Sequence, residues 1–155
     1  MKNICCIVNP VSGLKKSLKV YYEAKNLFEK SDFNTSLFVS EYPNHIKDYV
    51  SKIEKNRFDR IIVFGGDGSI NEVVNGLNDS NNLQSFKLGV IPTGSGNSVA
   101  HDTGLLDIKD AISKSLGDNI IKMDLNKVDF DSVSRLSVSC LLYTSPSPRD
   151  STWSR

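Results

Sequence analysis

The chain is poor in histidine, cysteine and net charge: its 155 residues include two His and three Cys, and the formal charge is +1. With 24% charged residues and no excess of either sign, nothing in the composition argues for a nucleic-acid surface or a polybasic membrane surface. No stretch approaches the roughly 20 consecutive apolar residues of a membrane-spanning helix. The apolar run after Lys2 stops at Asn9-Pro10, too short for a secretory signal, and reads as a first strand. The few His and Cys lack the neighbouring ligands that a metal site needs. Two familiar phosphate templates are missing as well. There is no Gly-x-x-x-x-Gly-Lys-Ser/Thr, and no Gly-x-Gly-x-x-Gly follows the first apolar run. Neither an internal repeat nor a low-complexity tract occurs before Ser139. What remains is an ordinary soluble domain, long enough to bury a substantial core.

What is present is an alternation. Apolar runs at 4–8, 33–39, 60–64 and 88–91 read as strands, and the run at 60–64 is wholly apolar after Arg60, as suits a strand buried on both faces. Between them lie stretches with helical spacing. The first, 17–30, carries Leu18, Tyr21, Tyr22, Ala24, Leu27 and Phe28. The second opens at Pro43-Asn44 and carries Ile46, Tyr49, Val50 and Ile53. The third, 69–77, turns Ile70, Val73, Val74 and Leu77 inward. A fourth starts at Ser98 and breaks near Gly104. A fifth, 107–116, has Asp107 as its cap and Ile108, Ala111, Ile112 and Leu116 inward. A strand over 120–128 leads out of the domain, and 135–139 is strand-like. Strands alternating with helices predict an α/β fold, a parallel sheet with helices on both faces. Cys5 and Cys6 are neighbours in the first strand and so face opposite sides. They read as buried, reduced thiols, which points to a cytoplasmic compartment.

Three loops follow predicted strands and therefore share the carboxyl edge of the sheet, where such folds bind ligands. They span 9–14, 65–69 and 92–97. The second reads Gly65-Gly66-Asp67-Gly68-Ser69, and the third Pro92-Thr93-Gly94-Ser95-Gly96-Asn97. Glycines let a backbone approach a ligand closely, and the helix after each loop presents unpaired N–H groups and a positive dipole end. Two such loops in one small domain suit a polyphosphate, a nucleotide above all.

Three segments carry a family resemblance in identity, order and spacing. They are Asn9-Pro10-Val11-Ser12-Gly13, the stretch from Gly65 through Asn71-Glu72-Val73-Val74-Asn75-Gly76, and the stretch from Pro92 through Asn97-Ser98-Val99-Ala100. Together they resemble the catalytic domain of the diacylglycerol kinase and sphingosine kinase superfamily, over residues 3–128. The resemblance implies a three-layer Rossmann-like domain, similar to those of NAD kinases and phosphofructokinases, paired with a β-rich second domain that holds the lipid. It implies transfer of the γ-phosphoryl group of ATP to a lipid hydroxyl with Mg2+. The acceptor is a sphingoid base or a diacylglycerol, and peripheral contact with a membrane follows. Many diacylglycerol kinases carry Asp where this chain has Ser98. A Gly-Ser-Gly-Asn core followed by a small uncharged residue resembles the sphingosine and long-chain-base kinases, which tilts the acceptor towards a sphingoid base.

The resemblance also assigns roles. Asp67 is the catalytic candidate, placed to face magnesium, its water shell or the acceptor hydroxyl; the plainer reading is an Asp that closes a turn. Backbone N–H groups around Gly65, Gly66, Gly68 and Ser69 are expected to cradle phosphate. Asn9 and Ser12 resemble nucleotide contacts on the first loop, against a reading as Asn-Pro and Ser-Gly turn formers. Glu72 is expected near ribose or metal, or is simply an acid at a helix start. Thr93, Gly94, Ser95, Gly96 and Asn97 are expected around the nucleotide, with Asn97 doubling as a helix N-cap. Lys15 and Lys16 either greet phosphate or form a solvated helix start. His45 and His101 lack any ligand pattern. No metal ligand is assigned.

The end of the chain differs in character. The run from Cys140 to Asp150 resembles an in-frame translation of a transposase adapter used to build sequencing libraries, which makes 140–155 a non-native tail. The expected organisation is a catalytic domain over 1–129, the start of a truncated second domain over 130–139, and that tail. On this reading the fragment is inactive alone. An NAD kinase-like or phosphofructokinase-like enzyme shares the Gly-Gly-Asp-Gly loop, but the first and third segments argue against it. A non-catalytic nucleotide-binding domain would bind ATP without transfer, and a plain structural domain would bind no nucleotide.

Overall fold

Arg60–Gly65 is buried along its whole length, which places it in the middle of the sheet. In the computed structural model, which describes residues 2–130 and 133–138, four parallel strands pair in the order β2-β1-β3-β4. They are β1 (Lys2–Val8), β2 (Phe33–Val39), β3 (Arg60–Gly65) and β4 (Lys87–Pro92). The register sets Val8 beside Phe64 and Gly65 beside Pro92, so the chain leaves β1, β3 and β4 at one level. The α/β class and the parallel sheet agree with the alternation read from the sequence.

Helices cover both faces. On the Cys5 side lie α2 (His45–Val50) and α3 (Asp67–Asp79), which bury Ile46, Val50, Ile70, Val73, Val74 and Leu77. On the Cys6 side lie α1 (Ser17–Lys30) and α5 (Ile108–Leu116), which bury Tyr21, Ala24, Phe28, Ala111 and Ile112. The two adjacent thiols thus enter different cores, as strand pleating requires. Short α4 (Ser98–Thr103) ends at Gly104, whose φ of 69° is the left-handed stop that glycine supplies. Asp107 caps α5 by accepting from the Asp110 amide at 2.8 Å. Strands β5 (Asn126–Phe130) and β6 (Val133–Ser137) form a separate antiparallel hairpin.

Several boundaries differ from the sequence reading. The strand expected over 120–128 begins only at Asn126, because pairing starts where β6 comes alongside, Asn126 opposite Ser137. Ile120 and Ile121 before it are exposed. Helix α2 stops at Val50, and Ile53 is buried from the turn that follows. On α1 the sheet takes Val20, Tyr21, Ala24 and Phe28. Tyr22 and Leu27 fall outside that stripe and are exposed. Helix α3 starts two residues before the expected Ser69, so Asp67 is a helix residue rather than a loop residue. The strand-like run at 135–139 is observed as Val133–Ser137, and the tail assigned to 140–155 lies outside the described residues. Among the described residues no helix is long and apolar enough to cross a membrane.

Candidate functional site

The three loops meet at the carboxyl edge, as their positions after strands require. Asn9 N–H donates to the Phe64 carbonyl, and Thr93 N–H to the Gly65 carbonyl. The Asn9 side chain then does two things. Its Oδ1 accepts from Val11 N at 3.2 Å, which closes the turn, and its Nδ2 donates to Ser69 Oγ at 3.0 Å, which ties the first loop to α3. The Thr93 and Ser17 hydroxyls hydrogen-bond at 2.7 Å in a buried setting and join the third loop to the start of α1.

The glycines serve the loops before they serve a ligand. A Cβ on Gly94 would overlap the Gly66 backbone, and one on Gly13 would overlap the Thr93 carbonyl. A Cβ on Gly65 would lie 2.5 Å from Ser69 Oγ. Three backbones pack directly on one another only because these side chains are missing. Gly68 is the exception. A Cβ there would meet nothing within 4 Å, so this position faces open space at the first turn of α3. The Asp67 and Gly68 amides belong to that first turn and have no intrahelical acceptor. They have no other protein acceptor among the described residues.

Asp67 spans two helices. Its Oδ2 accepts from Ser98 N at 2.9 Å and its Oδ1 from Val99 N at 3.1 Å, so the first acid of α3 caps the N-terminus of α4. Asn97 occupies the N-cap position of α4 but makes no capping bond, contrary to expectation. Its amide instead closes the third loop on Gly94, donating to Gly94 O at 2.7 Å and accepting from Gly94 N at 2.9 Å. Asn97 can do this because its backbone is left-handed, with φ of 56°. Ser95 and Gly96 are exposed at the tip, and Ser12 is half-buried beside Gly66. Thr93 is buried and its hydroxyl is occupied by Ser17, which leaves Ser95 as the exposed hydroxyl of the third loop.

Glu72 reaches across to α2. Its Oε2 accepts from Ile46 N at 3.1 Å and so holds the start of α2. It also lines a cleft of about 320 Å³ with Lys47, Gly68, Asn71, Asn75 and Arg135. The roof of that cleft is fixed by two asparagines to which sequence reading gave no role. Asn75 Nδ2 donates to Leu136 O at 2.8 Å and its Oδ1 accepts from Leu136 N at 2.9 Å. Asn71 Oδ1 accepts from Val138 N at 2.9 Å. The helical spacing of Asn71 and Asn75 was the available signal: i and i+4 put two amide side chains on one face.

No group of three or more His, Cys, Asp or Glu side chains that could hold a metal occurs among the described residues. Magnesium commonly binds on polyphosphate and its own waters with only one or two carboxylates, and so would not require such a group. Asp67 is the carboxylate in reach of the loop edge. Its two oxygens offer about four acceptor positions, of which the α4 amides take two.

With this geometry in place, comparison with known proteins is informative. Residues 3–128 match the diacylglycerol kinase catalytic domain. The chain is 33% identical over 109 residues to sphingosine kinase B of Dictyostelium discoideum, a match covering 68% of this chain and 14% of that protein. It is 33% identical over 124 residues to a diacylglycerol kinase of Staphylococcus epidermidis, covering 79% of this chain and 39% of the relative. The chain thus spans well under half the length of these relatives. A crystal structure of a diacylglycerol kinase from Bacillus anthracis superposes with a TM-score of 0.66 at 24% identity, covering 80% of this chain and 42% of that one. That likeness supports the fold, and the match over residues 3–128 supplies the lineage: this chain belongs to the diacylglycerol kinase catalytic-domain family.

Proposed function

We propose that this chain is the nucleotide-binding part of an ATP-dependent lipid kinase. The observation that carries the reading is the edge itself. Three loops are locked backbone to backbone through Gly13, Gly66 and Gly94, while Gly68 and the adjacent amides of α3 are left facing open space. Phosphoryl transfer asks a protein mainly for positioning and charge stabilisation. A rigid edge with free N–H groups at a helix start meets that need. On this reading ATP lies along the edge with its phosphates at Gly66, Gly68 and Ser69. Asn9, Ser12, Ser95, Gly96 and Asn97 border it, and Gly65, Thr93 and Gly94 shape it from behind. Mg2+ neutralises charge on the phosphates when bound.

Asp67 stands beside that position, held by α4 and with acceptor capacity to spare for the acceptor hydroxyl or for a metal-bound water. The acceptor hydroxyl passes its proton to the Asp67 carboxylate as its oxygen attacks the γ-phosphorus, the bond from that phosphorus to the β–γ bridging oxygen breaks, and ADP leaves. Glu72 contributes by fixing α2 and one wall of the cleft. The lipid hydroxyl comes from a sphingoid base or a diacylglycerol, with Ser98 favouring the former. The relatives are much longer than this chain, and we assign the lipid-holding surface to a second, β-rich domain beyond the β5–β6 hairpin. The 155 residues alone then bind ATP and transfer little.

The test has two arms. ATP with Mg2+ should raise the melting temperature of the chain, and no shift would overturn the nucleotide reading. A longer form containing the second domain should phosphorylate sphingosine or diacylglycerol but neither a dinucleotide nor a sugar phosphate. Transfer to a dinucleotide instead would assign an NAD kinase-like activity, and binding without transfer to any acceptor would assign a regulatory domain.

A further inference from the structure

Glu72 and Arg135 line one cleft and do not pair with each other. The cleft, of about 320 Å³, opens between α3 and β6, with Gly68 at one end of its α3 wall and Asn75 at the other. Gly68, Glu72 and Asn75 follow one another at helical spacing and form a single stripe of α3. Four residues advance a helix by about 6 Å. Helical side chains lean towards the N-terminus, which carries Glu72 back towards the turn that holds Gly68.

The charges of the cleft are not cancelled by its own walls. Glu72 Oε2 accepts from Ile46 N at 3.1 Å, and among the described residues no donor is paired with its Oε1. Across the cleft Arg135 is exposed on β6 and, among the described residues, is in no ion pair. Lys47, the third charged residue of the lining, is taken by Asp79 at 2.9 Å. The walls are tied together, because Asn71 and Asn75 hold the backbone of Val138 and Leu136. One negative and one positive charge on facing walls are left for a ligand, next to the open space at Gly68.

A ligand that answers both charges is a zwitterion. Among alcohols that accept a phosphoryl group, a vicinal amino alcohol becomes one: its ammonium stays and its hydroxyl becomes a phosphate. A neutral alcohol such as a diacylglycerol gives a phosphate alone, which leaves Glu72 opposed by like charge. An unanswered or repelled charge is how a site rejects the wrong partner.

We propose that this cleft is the headgroup site of the acceptor, and that Glu72 selects a vicinal amino alcohol over a neutral one. The ammonium meets Glu72 Oε1, the hydroxyl lies at the Gly68 end beside Asp67, and Arg135 takes the phosphate once it has been transferred. Glu72 acts in specificity and not as the base. The inference rests on the lipid-kinase reading and adds to it an acceptor class set by the charges of the cleft.

The experiment is a titration of the 155-residue chain with phosphoethanolamine and with glycerol phosphate, followed through the amide resonances of Gly68 and Leu136. These probes are the soluble headgroups of the two product classes. The chain should bind phosphoethanolamine about fivefold more tightly than glycerol phosphate. Glu72→Gln keeps an oxygen for Ile46 N and loses the charge, so it should fold as the wild type does and bind both probes equally. Arg135→Gln, at an exposed strand position, should weaken both probes and leave their ratio unchanged. Binding of neither probe, or equal binding of the two by the wild type, overturns the proposal, as does a preference that survives in Glu72→Gln. Undiminished binding by Arg135→Gln also overturns it, because the phosphate then lies outside the cleft, and this arm stands even where Glu72→Gln does not fold. The two readings fail separately. An ATP-induced thermal shift without any preference between the probes sinks the headgroup site alone. The preference without an ATP response leaves a zwitterion site and sinks the kinase reading.

Discussion

Both carboxylate oxygens of Asp67 are committed to the backbone of α4, Oδ2 to Ser98 N at 2.9 Å and Oδ1 to Val99 N at 3.1 Å. The residue that the family resemblance marks for chemistry is therefore also a structural clip between two helices.

Asp67→Asn tests both roles at once. One amide oxygen replaces two acceptors, and the new NH2 group faces a backbone N–H. We expect a stability loss of about 1–2 kcal/mol, read from urea denaturation. In a form of the protein that contains the lipid domain we expect transfer to fall by about 100-fold or more. Turnover that survives while stability drops would leave Asp67 as a cap and move the chemistry elsewhere.

Gly94 and Gly68 should respond in opposite ways to the same change. Gly94→Ala drives a methyl into the Gly66 backbone, so it should cost about 3 kcal/mol. Gly68→Ala meets only open space and lies in a helix, so stability should hold or rise by about 0.5 kcal/mol. Its added methyl should nevertheless shrink the ATP-induced rise in melting temperature. An undiminished ATP response in Gly68→Ala would mean that the nucleotide does not use that space.

The contrast between these glycines shows what the sequence made legible and what it did not. Local punctuation was readable: strand, glycine turn and helix follow one another in order, and that places all three loops at one edge. The partners of individual side chains were not, because they are set by packing across the chain. Thr93 meets Ser17 from 76 residues away, and Glu72 meets Ile46 N from 26 residues away. Nothing near Thr93 or Glu72 in sequence announces either contact. The same holds for Asn75, whose partner Leu136 is 61 residues distant. Gly66 and Gly94 were read as sites of ligand approach, yet the structure shows each making room for the other.

Asn75→Ala should loosen the hairpin and leave the main domain intact. The substitution strands both backbone groups of Leu136 and removes the internal bond from Asn75 Nδ2 to Asn71 O at 2.8 Å. A local cost of about 1–3 kcal/mol follows. The Leu136 amide should then exchange hydrogen about tenfold faster or more, while amides of the buried β3 strand keep their rates. Equal exchange at Leu136 in both proteins would show that its protection comes from packing alone.

Alkaline pH should destabilise the fold through its buried acids. Burial pushes the Cys5 thiol up to about 11, against a weaker opposing hydrogen bond with Tyr49, and it raises Cys6 further still. Burial likewise lifts Tyr49 to about 12, reinforced by Cys5. Cys5 Sγ and Tyr49 Oη lie 3.8 Å apart. In the unfolded chain a thiol loses its proton near about 8.5 and a phenol near about 10. Between those values and the raised native ones, the folded state holds protons that the unfolded state has released. Stability therefore falls as pH rises, by up to about 1.4 kcal/mol per pH unit for each such group. The contribution is fully present at neutral pH and begins to fade above the unfolded thiol value. Urea midpoints measured from neutral pH to about pH 10 should be level at first and then decline. Cys5→Ala should make the decline shallower, and a midpoint that stays level would mean the thiols ionise as readily in the native protein as in the open chain.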